Sequence, residues 1–465
     1  MRLIAILFLF LFQFAGAQEP KYYRYDNDIL SKDFHKGRRE ALREKMPVNS
    51  VAVIFAAPER LYSNDNDYQY HQSPDFYYLT GFLEPNSMLL VLKTPIALNG
   101  MTSDEFLFVP DRNPERESWN GRRAGKEGAN DVTGVHGILL AADFDSLKID
   151  FSTFDKLWYI LPKGAIDNAS EGDDLYSLIE SFKKKCSYPP ANGDVGGLSA
   201  SMSELREIKL PEEIELMRKA IRISCEGHNE IMRAIIPGMH EYEVQAIGEY
   251  VWKREGSEFV GYPSICGGGE NSCILHYEAN RKPLASGDIQ LNDMGAEYHG
   301  YSADVTRTIP VNGKFSPEQK QIYQLVYDAQ QAGFEACVTG NEFRAAHKAA
   351  VSIIGKGLVD LGITKTESDY KNYFFHGTSH YLGLDVHDAG TSGKLKPGVV
   401  LTVEPGIYIP EGSPCDPKWW NIGVRIEDDI LVTENGYENL SEASPRTIEA
   451  VEALMKEKPV WIKEK

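Results

Sequence analysis

The sequence predicts an α+β chain in two parts: an N-terminal α/β domain, and a C-terminal domain built from two copies of one βαβ-type unit around a metal site. Three observations carry this. Four short motifs in the C-terminal half hold Asp293, Asp304, His380, Glu404 and Glu427 among strand-forming or glycine-containing neighbours. The acid-bearing segments repeat: Leu284 to Gly287 runs to Asp293 and Gly295 as Leu395 to Gly398 runs to Glu404 and Gly406. Upstream of Gly193, short apolar runs alternate with helical segments, the pattern of an α/β domain. At 465 residues the chain is also longer than one core usually supports.

Taken in order, the first residues have a basic start at Arg2, an apolar run from Leu3 to Phe12 and the small residues Ala15, Gly16 and Ala17. Residues 1–17 therefore read as a secretory signal peptide, too short in its apolar stretch for a membrane span of about 20 residues. The mature protein is expected to be exported, periplasmic or secreted, with no stable membrane anchor. An N-terminal domain is placed at 21–195. Phe34 to Lys45 reads as a charged helix and Ser50 to Ala56 as a buried strand. The runs Asp75–Phe82, Ser87–Leu92 and Glu105–Pro110 continue the strand pattern, and a helix is expected around Asp173 to Lys185. Pro189 to Gly193 reads as a linker.

The C-terminal domain is placed at 200–465. Pro211 stands at a first helical turn beside Glu212 and Glu213, where acids suit the positive end of the helix dipole. Ile214, Met217, Ile221 and Cys225 recur at helical spacing, and Pro237-Gly238 ends the run. A second helix is expected from Glu241 to Arg254, and two more between Pro317 and Leu361. Two helix pairs, each before a hairpin, match the repeat. Each half also has a histidine 17 residues before its acid, His276 before Asp293 and His387 before Glu404. A pseudo-twofold axis relating the copies would bring both acids and both histidines to one centre.

Carboxylates inside apolar strands are costly unless paired or metal-bound. Four of them with one imidazole suit hard divalent cations, so two ions, Mn(II) foremost, are the expected cofactors. This set points to a two-metal hydrolase. The formal charge of -19 disfavours nucleic acid and anionic membranes as partners. Six cysteines without a Cys-x-x-Cys pair fit neither a zinc knuckle nor a disulfide scaffold; Cys266 and Cys273 are the nearest pair for a bridge, with buried free thiols the alternative.

The motifs, in this order, resemble the aminopeptidase P family of Xaa-Pro aminopeptidases, which have the pita-bread metallopeptidase fold. The likeness covers about residues 34 to 440, including Gln72–Phe82 and Trp119–Arg123 in the first domain and Ile274–Tyr277 in the second. It implies that Asp293 binds one metal, Asp304 and Glu427 bridge both, and His380 and Glu404 complete the other. Glu404 would also pass a proton from water bridging the ions to the leaving nitrogen. His276 and His387 would be catalytic hydrogen-bonding groups. His376, Arg425 and Trp119 are assigned to substrate binding. His376 would join the cleft if its segment is helical or tightly turned, Arg425 would pair with a ligand carboxylate or support its strand, and Trp119 would cap a neighbouring subunit's cleft or sit in the core at a strand edge. Asn292 is polar where the family pattern is apolar, and is read as a hydrogen-bonding neighbour of the site. Asp428 and Asp429 read as solvated neighbours.

The substrates so implied are peptides with proline at the second position. A prolidase restricted to Xaa-Pro dipeptides shares fold and ligands, and a non-catalytic peptide-binding scaffold would have shed ligands that this chain keeps. A homo-oligomer is compatible with the sequence.

Overall fold

The computed structural model describes residues 25–165 and 174–460. The expected signal peptide lies outside these residues. The first domain is organised by a five-stranded sheet in the order Gly137–Leu140, Met101–Val109, Met88–Leu98, Ser50–Phe55, Lys156–Ile160. Its three central strands are antiparallel neighbours, and each edge strand adds in parallel. Ser50–Phe55 is buried at every position, which explains its unbroken apolar reading. Val51, Val53 and Phe55 enter a core with Phe182 of the helix Leu175–Lys185, while Ala52 and Ile54 face the opposite side. That second core is continuous with the C-terminal domain's own core.

The run Asp75–Phe82 corrects one expectation: it contains the helix Pro74–Thr80 instead of a strand. Pro74 supplies a fixed φ at the first turn, and Gly81, at φ +63°, ends the helix in the left-handed region. Phe76 to Thr80 are all buried, so the aromatic run reflects packing on every side and not a pleat. The segment Pro189 to Gly193 is tied down: Leu157 donates to the Asn192 carbonyl at 3.0 Å, and the Asn192 amide donates to Phe151 and Phe154 carbonyls. It leads into the helix Val195–Glu207, which packs on the sheet.

In the second domain the helix pairs are Pro211–Ala234 with Glu241–Arg254, and Pro317–Ala336 with Ala345–Asp360. The hairpin Ile289–Asp293 with Thr306–Pro310 follows the first pair, and Val400–Val403 with Asp428–Thr433 follows the second. The duplication extends to single hydrogen bonds. After the first long helix, Gly238 donates to Leu284 and Leu284 to Met239, each at 2.8 Å; after its counterpart, Gly340 donates to Leu395 at 2.9 Å and Leu395 to Asn341 at 2.8 Å. Gly287 at φ +100° and Gly398 at φ +89° make the turns into the two acid-bearing strands. The halves are stitched across the middle by Glu427 N–H donating to the Thr306 carbonyl and by Thr308 Oγ1 donating to the Arg425 carbonyl. All six cysteines are free.

Candidate active site

Each strand delivers its acid at the same edge. Asp293 ends the strand Ile289–Asp293, and Asp304 lies just before Thr306–Pro310 on the partner strand. The chain between them is drawn in so closely that a Cβ on Gly295 would collide with the Ala303 carbonyl oxygen. In the other half Glu404 follows Val400–Val403 and Glu427 precedes Asp428–Thr433. Glu404 is anchored by its N–H to the Thr378 carbonyl at 2.9 Å, and Thr402 N–H donates to the His380 carbonyl at 3.0 Å, which sets the histidine beside the acids.

One open cleft collects nearly every residue the sequence nominated. Asp293, Asp304, His380, Glu404 and Glu427 line it together with His276, His376, His387 and Arg425. Asp304, His380 and Glu427 present ligand atoms that all lie within 4.8 Å of one another. His380 Nε2 is 3.3 Å from Asp304 Oδ2 and 3.8 Å from Glu404 Oε1. His376 enters from an irregular segment, neither helix nor regular turn; its Nδ1 is 3.6 Å from Glu404 Oε2 and its Nε2 pairs with the Tyr408 hydroxyl at 2.9 Å. Arg425 donates to Asp293 Oδ2 at 2.6 Å and to the Tyr408 hydroxyl at 2.8 Å.

The electrostatics are those of acids forced together. Desolvation, with repulsion from Asp304 and Asp293, pushes Glu404 up to about 8 against the pull of His380 and Arg425. Burial and the same neighbours raise Glu427 well above the carboxylate range, and burial with Asp293 raises Asp304. Burial disfavours the His380 cation, yet the Asp304 carboxylate beside it brings its pKa up to about 9. His376 is lowered to about 3 by burial and by Arg425, and His387 is lowered by burial and by His380, so both imidazoles are neutral.

Some expectations are corrected. Trp119 is neither core nor strand-edge: it is 86% exposed on the short helix Pro114–Asn120, outside the cleft. Asp428 and Asp429 are fully buried. Asp428 pairs with Arg307 at 2.8 Å, and Asp429 accepts from the Asp304 N–H at 3.2 Å, so this strand is covered on both faces. Asn292 is buried and accepts from Gln290, not from the ligand set.

Other contacts were given no role by the sequence. The Tyr262 hydroxyl lies 2.5 Å from both Asp293 Oδ1 and Asp304 Oδ1. Thr306 donates to Glu427 Oε2 at 2.6 Å. Behind His387, Arg206 bonds Asp385 at 2.8 Å and also Asp388, while its other amine holds Asp75 of the first domain at 2.8 Å. Lys209 holds the second oxygen of Asp388 at 2.9 Å. Thr306, Asp385 and Asp75 stand inside segments the sequence marked, whereas Tyr262, Arg206 and Lys209 have no such mark.

Comparison with known proteins matches this arrangement. Metallopeptidase family M24 matches residues 215–434, and the aminopeptidase P N-terminal domain matches residues 35–153. The Xaa-Pro aminopeptidase of Haemophilus influenzae is 38% identical over 439 residues, 92% of this chain and 98% of the relative. The chain belongs to the aminopeptidase P family. It is thus a metallo-aminopeptidase with the α+β pita-bread architecture. The Xaa-Pro aminopeptidase of Escherichia coli is 36% identical over 442 residues, with the same shares of each chain. Among solved structures, E. coli aminopeptidase P with the inhibitor Pro-Leu superposes at a TM-score of 0.82 and 35% identity, covering 92% of this chain and 98% of that one. A Pseudomonas aeruginosa aminopeptidase gives 0.82 at 37% identity over 92% and 99% of the two chains.

Proposed function

We propose that this member of the family is an exported enzyme that hydrolyses the first peptide bond of peptides with proline in second place, using two divalent cations. The observation that carries the metal reading is the charge balance of the cleft. Four carboxylates meet there, three with pKa values raised by burial and mutual repulsion, and Arg425 with His380 do not offset them. Oxygen donors with one imidazole fit hard divalent cations, Mn(II) foremost. Asp293 would hold one ion, Asp304 and Glu427 both, and His380 with Glu404 the other. Such ions supply Lewis-acid polarisation of the scissile carbonyl and make water more acidic.

The chain's own groups supply the rest. Glu404 takes a proton from water as the water oxygen bonds to the carbonyl carbon. It returns that proton to the proline nitrogen as the carbon–nitrogen bond breaks, leaving a free amino acid and a peptide beginning with proline. His276 and neutral His387 donate hydrogen bonds to the charge that develops on oxygen and to the proline-side carbonyl. The substrate's free amine is met by the acids around Asp293, which Arg425 and Tyr262 hold in place. The relatives' names, at 36–38% identity, support Xaa-Pro peptides over dipeptides alone.

The deciding experiment strips the purified protein with chelator, returns single metals, and follows Ala-Pro-Ala, Ala-Ala-Ala, acetylated Ala-Pro-Ala and Ala-Pro. Metal-dependent cleavage of Ala-Pro-Ala, with the other peptides poor, is expected. Equal rates on the first three would overturn the specificity, preference for Ala-Pro would make the chain a prolidase, and no metal-dependent turnover would leave a scaffold. Export rests on the first 17 residues and is tested by the N-terminal sequence of protein recovered outside the cytoplasm. No helix among the described residues is long and apolar enough to cross a membrane.

A further inference from the structure

We propose that Phe375 determines the preference for the substrate's third residue, selecting large apolar side chains at the cleft mouth. The inference rests on the exopeptidase reading above. Phe375 is out of place for its type: it is 56% exposed, whereas its neighbours Tyr373 and Phe374 are 3% and 1% exposed. Its ring packs against Tyr408 at 5.5 Å between centroids and against His376 at 6.3 Å. His376 lines the cleft, and Tyr408 is 1% exposed and fixed by hydrogen bonds to His376 and Arg425. Phe375 therefore stands on a rigid platform at the edge of the reacting cavity, where a contact costs little ordering. Ile274, two residues before the cleft-lining His276, is likewise exposed at 49%.

An enzyme that anchors a free amine holds the first residue at the closed end of its cleft and proline at the metal-facing centre. The remaining chain, from the third residue on, then extends toward the open mouth of the cleft. An exposed aromatic there meets the third residue, and burying apolar surface between the two favours binding in proportion to the area covered.

The test uses the metal-loaded full chain and the amides Ala-Pro-Gly, Ala-Pro-Ser, Ala-Pro-Leu and Ala-Pro-Phe. The wild type is expected to favour Leu and Phe over Gly by roughly tenfold in kcat/KM, carried by KM. Phe375→Ser should bring that ratio close to one, and Phe375→Leu should keep most of it, with circular dichroism and metal content establishing that both variants are folded. A wild-type ratio near one, or a preference that survives in Phe375→Ser, overturns the inference while leaving the Xaa-Pro reading intact. Failure to cleave any of the four amides overturns both.

Discussion

The two halves of the second domain share a backbone down to the same turn hydrogen bonds and the same left-handed glycine, yet their acids stand in different company. Asp293 in the first half is gripped by Tyr262 and by Arg425, the latter reaching over from the second half. Glu404, its counterpart, faces His376 at 3.6 Å and His380 at 3.8 Å and has a raised proton affinity. The repeated backbone sets both acids in equivalent places, and the different side chains around them hold Asp293 by hydrogen bonds while leaving Glu404 with a raised proton affinity, as the proposed roles require. The two residues at the seam, Asp304 and Glu427, belong to neither role alone.

The comparison breaks most sharply at the seam. Asp304→Ala and Glu427→Ala should each abolish turnover, beyond the roughly 10³-fold that a lost hydrogen-bond donor costs, and lower metal content measured by elemental analysis. Two metals and near-normal rates in Asp304→Ala would mean the halves do not share their ions. Next in size, His276→Ala and His387→Ala should keep both metals and lose about 10²–10³ in kcat. Metal loss from either folded variant would make that histidine a ligand. Thr306→Ala, which removes the hydrogen bond to Glu427, should weaken metal binding by about 10–100-fold in a competition titration, leaving the fold unchanged.

Stability against pH tests the asymmetry without substrate. Glu404 titrates near 8 in the folded chain against an ordinary 4.5, so between those values the folded state binds more protons than the unfolded one. Without metal, the Glu404 contribution, read as wild type minus Glu404→Gln, should fall as pH rises through that window, and saturating divalent cation should shrink the difference. Identical pH profiles for metal-free wild type and metal-free Glu404→Gln would contradict the assignment. The smallest effect probes the scaffold. Gly287→Ala should cost about 1–2 kcal/mol for its left-handed backbone. Gly398→Ala should cost more, because its Cβ would also meet Ile208 at 3.0 Å and the Lys209 carbonyl at 3.1 Å. Denaturant midpoints distinguish the two.

Much of this was readable from the chain because metal ligation demands particular side chains at positions the repeat marks. The helix Glu241–Arg254 follows from periodicity, and Asp293, Asp304, His380, Glu404 and Glu427 with His276 and His387 follow from motif and repeat, whereas His376 and Arg425 entered with the family resemblance. What escaped lacks such a mark. Tyr262 reaches Asp293 and Asp304 across an irregular stretch whose path no local pattern fixes. Asp428 and Asp429 looked solvated because three successive acids usually are, and only the tertiary arrival of Arg307 and of the Asp304 amide makes their burial tolerable. The helix Pro74–Thr80 was hidden by aromatics that pack on all sides, although Pro74 and Gly81 marked both its ends.

The Arg206 fork bears on modularity. One guanidinium grips Asp75 in the first domain and, in the second, Asp385 and Asp388 on either side of His387. The helix that carries it, Val195–Glu207, falls where a designer would cut to isolate the catalytic part. A fragment starting after that helix would keep every proposed metal ligand and lose the strut beneath His387. In this chain the first domain therefore helps hold the loop that carries His387, and a variant without it would have to support that loop another way.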